Sequence, residues 1–81
     1  MTRLLPHPAI GVELDGAGHP VALLLHARRE SVSACNHWRV EEAWWGRPVV
    51  RDYYKVVGET LLALIYRDGV AGTWHLERLY D

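Results

Sequence analysis

The chain has 81 residues, enough for one domain and too few for a second. Nine basic and ten acidic side chains give a net charge of −1 with the signs interspersed, which excludes a strong grip on duplex DNA by charge alone. A single Cys35 excludes an internal disulfide, and no stretch has the length or apolarity of a secretory leader or a membrane span, so the expected setting is the reducing cytoplasm.

Pro6 and Pro8 mark residues 1–7 as an extended entry segment, with a single β domain expected over 8–81. Ile10, Val12 and Leu14 alternate with Gly11, Glu13 and Asp15, the period of a half-buried strand. Asp15-Gly16-Ala17-Gly18 has the chemistry of a turn, and Pro20 to Leu25 returns as the second strand of a hairpin. Arg28-Arg29-Glu30 reads as a polar connection. From Ser31 to Val40 the alternation resumes, with Val32, Ala34, Asn36, Trp38 and Val40 on one side. Trp38 is therefore expected in the core, as is Trp74.

Residues 40–46 have room for one short helical turn before Gly46-Arg47-Pro48 breaks the pattern. Val49 to Val57 is rich in strand formers, and its alternation puts Arg51, Tyr53 and Lys55 on one face. Gly58-Glu59 is a tight turn. Leu61 to Tyr66 is apolar on both sides, as a strand covered on each face would be. Arg67 to Gly72 turns the chain once more into a last strand, Thr73 to Tyr80. The reading is an all-β fold of five to six antiparallel strands, curled into a rolled sheet or small barrel.

Every Trp and Tyr lies at residue 38 or beyond, and Phe is absent. The ordered blocks are Asn36-His37-Trp38-Arg39, Trp44-Trp45-Gly46-Arg47, Arg51-Asp52-Tyr53-Tyr54, Tyr66-Arg67-Asp68 and Trp74-His75-Leu76 through Tyr80-Asp81. In this order they resemble an uncharacterised family of small bacterial domains. Its members occur alone or at the C-terminal end of ImuB-like homologues of Y-family DNA polymerases, the clamp-associated and catalytically degenerate partners in mutagenic repair. The resemblance covers residues 8–81 and implies a protein partner in DNA repair or translesion synthesis. No polymerase domain is present in this chain.

The residues themselves point to binding rather than catalysis. Ser31 and Ser33 lack a nucleophile elbow, Cys35 lacks the surroundings of a reactive thiolate and reads as a small buried residue, and no phosphate-cradling loop precedes a helix. No enzymatic role and no cofactor are expected. Cys35 and His37, with His75 as a conceivable third ligand, lack the doubled spacing of a zinc site, so no metal is expected. The candidate contact residues are Trp44, Trp45, Arg47, Arg51, Tyr53, Lys55 and Arg67. Adjacent Trp44 and Trp45 point opposite ways on an extended chain, so at most one enters a core. The leading expectation is a non-enzymatic docking module for another protein. The alternatives are a single-stranded nucleic-acid binder using the same strip and a homo-oligomer pairing through a strand edge.

Overall fold

The structure, a computed structural model, describes residues 7–25 and 27–80, with the Trp44 side chain excepted. Except for His7, the expected entry segment lies outside the described residues. Six strands follow one another: β1 (Gly11–Leu14), β2 (Pro20–Leu25), β3 (Arg28–Trp44), β4 (Arg47–Gly58), β5 (Leu62–Asp68) and β6 (Trp74–Tyr80). They form one antiparallel sheet in the order β1-β2-β3-β4-β5-β6, and no helix occurs among the described residues. The all-β rolled sheet expected from the alternation is the observed fold.

Two turns use the same device. The Asp15 carboxylate accepts the amides of Ala17 and His19, both at 2.9 Å, and Gly18 takes a positive φ of 85°. The Asp68 carboxylate likewise accepts the amides of Val70 and Ala71 at 2.9 and 3.0 Å, and Gly72 has φ 76°. An acceptor three or four residues ahead of a glycine that tolerates the left-handed region closes each turn.

β3 is the hinge of the roll. Its first residues, Arg28 to Ser31, pair with β2, and Val32 to Trp44, Cys35 excepted, pair with β4. Arg28-Arg29-Glu30, expected as a connection, is thus the start of a strand. Its charges are tolerated because they are used: Arg29 makes a two-point ion pair with Glu13 on β1, and Glu30 accepts from the amide and hydroxyl of Thr60. β1 and β2 fold over β4 to β6, and Leu23, Val32, Tyr54, Val56, Ala63 and Ile65 are buried between them. Ile10, Val12, Leu25, Leu61, Trp74 and Leu76 pack against this cluster. The roll is held by a short latch rather than by a full ladder: the Ile10 amide donates to the Trp74 carbonyl and the Leu76 amide to the Pro8 carbonyl, each at 3.0 Å.

The helical turn with room near residues 40–46 does not form. The chain is extended through Trp44, and each residue from Val40 to Trp44 has a partner between Arg51 and Arg47. β5 leaves β4 at the Arg51–Asp68 pair, so the remainder of the β3–β4 hairpin projects as a two-stranded arm.

Two predictions follow from the core and the turns. Ile65 is fully buried, and Ile65→Ala is expected to remove about 2–5 kcal/mol, enough to unfold much of a marginal domain in a urea titration followed by Trp fluorescence. Hydrogen bonds from Arg29 and Thr60 hold the Glu13 and Glu30 carboxyls below their usual range, and the amides of His19 and Ala71 do the same, first among their neighbours, for Asp15 and Asp68. Depressed folded values mean that this stabilisation is complete above the unfolded values and is lost as pH falls through the folded ones. The urea midpoint is expected to drop below about pH 4, and less steeply in Asp68→Ala.

Candidate functional site: the outer sheet face and the arm

The alternation of β3 inverts at one place. Ala34 pairs with Val56 and Asn36 with Lys55, so Cys35 is an extra residue with no partner in β4. This bulge turns every later residue of β3 to the other face. Val32 and Ala34 therefore face the core side, and Trp38 faces away from it, in register with Tyr53. Trp38 is 39% exposed, which corrects its expected place in the core, and Cys35 is exposed rather than buried. Trp74 is partly buried and meets Tyr54 at 5.5 Å between ring centroids, on the core side as expected.

The consequence is a row of rings across four strands on the outer face. Trp38, Tyr53, Tyr66 and His75 are successive register partners on β3, β4, β5 and β6. Trp38 stacks on Tyr53 at 5.4 Å with planes 7° apart, Tyr53 meets Tyr66 at 5.2 Å, and Tyr66 stacks on His75 at 5.2 Å. Such cross-strand aromatic pairs stabilise a sheet by about 0.2–1 kcal/mol each. His7 stands edge-on to Tyr66, its Nδ1 3.0 Å from the phenol oxygen. Tyr66 is thereby only 5% exposed although it points away from the core, and burial raises its pKa. The apolar character of Leu61–Tyr66 on both sides is explained: rings cover the outer side and the core covers the inner one.

Arg51, Tyr53 and Lys55 share this face, as their alternation predicts. Arg51 lies 4.5 Å from the Tyr66 ring centre and donates to the Tyr53 hydroxyl at 3.1 Å. Lys55 and Arg78 approach the Tyr80 ring at 5.4 and 5.9 Å. Arg67 does not join them. It pairs with Asp52 and Trp74 on the core side, because residues 66 and 67 of one strand point opposite ways. Asp52 also serves that side, 3.6 Å from His37 Nε2 and 3.7 Å from Arg39, while His37 stacks on Tyr54 at 4.2 Å. His37 and His75 thus lie on opposite faces, so with Cys35 in the bulge the conceivable metal ligands do not converge. Among the described residues no three His, Cys, Asp or Glu side chains come together for a metal ion.

The arm ends in a two-residue turn, Trp45-Gly46, with φ of 54° and 77°. Both values are positive, the mark of the type I′ turn that matches strand twist. The expected break at Gly46-Arg47-Pro48 thus falls one residue earlier, since Arg47 and Pro48 already belong to β4 and Arg47 pairs with Trp44. Trp45 is 85% exposed and Arg47 is exposed beside it. The Trp44 side chain lies outside the described residues. A left-handed conformation costs a residue with a Cβ about 1 kcal/mol, and Asn adopts it more readily than Trp. Trp45→Asn, which creates the favoured Asn-Gly turn, is expected to raise stability by about 1 kcal/mol in urea unfolding.

Sequence reasoning missed Trp38, Tyr66, His75, Arg78 and Tyr80 as members of this face. The alternation in β4 signalled the face, but the bulge that brings Trp38 onto it has no strong local mark. No membrane-length apolar helix occurs among the described residues. No family model, no curated protein and no solved structure matches the chain.

Proposed function

We propose that this protein is a non-enzymatic docking module and that the β3–β4 arm is its contact element for a protein partner. The observation that carries the reading is Trp45: a large indole at the tip of a projecting hairpin, 85% exposed and in a left-handed conformation. An indole presented this way offers the large apolar area and N–H donor that a pocket of another protein takes up. Arg47 next to it supplies the second side chain type enriched at interface hot spots. The link to DNA repair and translesion synthesis rests on the ordered aromatic blocks, and it names the partner class to test first: a polymerase-like protein of mutagenic repair.

Pairing between copies along β3 is the weaker reading. The bulge at Cys35, the charges of Arg39, Glu41 and Glu42, and Pro48 on the facing strand are the devices that blunt an edge against such pairing.

The test is calorimetric titration of the intact chain into a purified ImuB-like polymerase homologue. A saturable complex is expected, and Trp45→Ala should weaken it by about 2 kcal/mol, close to thirtyfold. The absence of a complex, or equal affinity for Trp45→Ala, would refute the proposal.

A further inference from the structure

A sheet with one face on a core normally turns polar side chains outward. The outer face here does not: Trp38, Tyr53, Leu64, Tyr66 and Tyr80 all lie on it, in register across β3 to β6. The rings are ordered by cross-strand stacking, so they form a fixed platform about 14 Å wide over four strands.

The charges are sorted in the same way. Ion pairs among the described residues join Arg39 to Glu41 and Asp52 to Arg39 and His37 on the core side, and Glu13 to Arg29 at the β1–β2 end of the sheet, away from the ring row. Arg51, Lys55 and Arg78 have no carboxylate within 4.0 Å among the described residues and lie against rings instead. Asp68, the acid in register with Arg51, directs Oδ1 to the amides of Val70 and Ala71. Asp68 and Glu77 lie near the Tyr66 end of the row, so what distinguishes the face is three cations held against rings rather than in ion pairs.

The row ends on Trp38, on the side of β3 that β2 leaves beyond Ser31. There an indole of substantial exposure, parallel to Tyr53 within 7°, ends the row of rings, and the cations flank the row. Flat heteroaromatic groups joined by phosphates match both features. A duplex keeps its bases stacked on one another, so only an unpaired strand can lay them on protein rings.

We infer that the outer sheet face binds single-stranded nucleic acid, with a base stacking on the Trp38–Tyr53 end of the row and phosphates meeting Arg51, Lys55 and Arg78. This surface stands on observations independent of the Trp45 tip. Three phosphate contacts give a modest affinity with a log–log salt slope of about −2.

The experiment is fluorescence anisotropy of labelled oligothymidylate and oligouridylate, about twelve nucleotides long, titrated with the intact chain at low salt. Saturable binding of either oligomer, with that salt slope, is expected. Trp38→Ala should weaken it about tenfold. The double charge reversal Lys55→Glu/Arg78→Glu should abolish it in a chain that still unfolds cooperatively in urea, and Trp45→Ala should bind as the parent does. No anisotropy change with either oligomer would overturn the inference. So would equal binding of a duplex, or binding that survives both the Trp38 change and the charge reversal.

Discussion

Because Cys35 has no partner in β4, the two faces of β3 exchange roles between Ala34 and Asn36. On one side of that point the strand helps to enclose the core through Val32. On the other it carries Trp38 outward onto Tyr53 and brings His37 inward onto Tyr54. The Trp38 end of the row of rings and the placement of His37 and Arg39 beside Asp52 depend on this one unpaired residue. Were Cys35 paired with Lys55 instead, Trp38 would oppose Asp52 on the core side and the outer face would lose the end of its stack.

The division of labour between the faces follows. A domain of this size buries a limited apolar core, here centred on Leu23, Val56 and Ile65. The remaining large side chains are therefore placed where they hold the sheet from outside, stacked across strands, with the Arg51 guanidinium over Tyr66 and the Lys55 ammonium over Tyr80. Long cationic side chains can shelter apolar surface while keeping their charge in water. The same arrangement that shields the Tyr66 ring leaves these guanidinium and ammonium groups outside any ion pair among the described residues. Stability and recognition thus draw on one set of contacts, whereas the arm beyond Arg51 contributes little to the core and is shaped by its turn.

Much of the architecture was legible because local chemistry and global pattern agree. Asp15 with Gly18 and Asp68 with Gly72 announce their turns, and alternation through Val12, Val56 and Leu76 announces the strands. The double-sided apolar run from Leu61 correctly signalled a strand covered on both sides, though not that rings supply the outer cover. The failures have physical causes. Arg28 to Glu30 look like a connection because their charges are satisfied by Glu13 and Thr60, partners distant in sequence. A bulge adds a residue without changing composition, so Trp38 was assigned to the wrong face and Cys35 to the interior. The arm's turn was displaced by one residue because tryptophan is a poor candidate for a left-handed position. Arg67 was grouped with Arg51 by charge, although strand parity separates them.

Every pairing in the sheet joins consecutive strands, so the ladder can zip from any hairpin outward with little chain entropy to overcome at each step. The latch between Pro8–Ile10 and β6 is different, since it brings together segments from nearly opposite ends of the sequence. Its closure carries the largest loop-entropy penalty and is rewarded by few hydrogen bonds. The rolled core therefore reaches its final enclosure last, and the seam between the first and last strands is where the native state opens first.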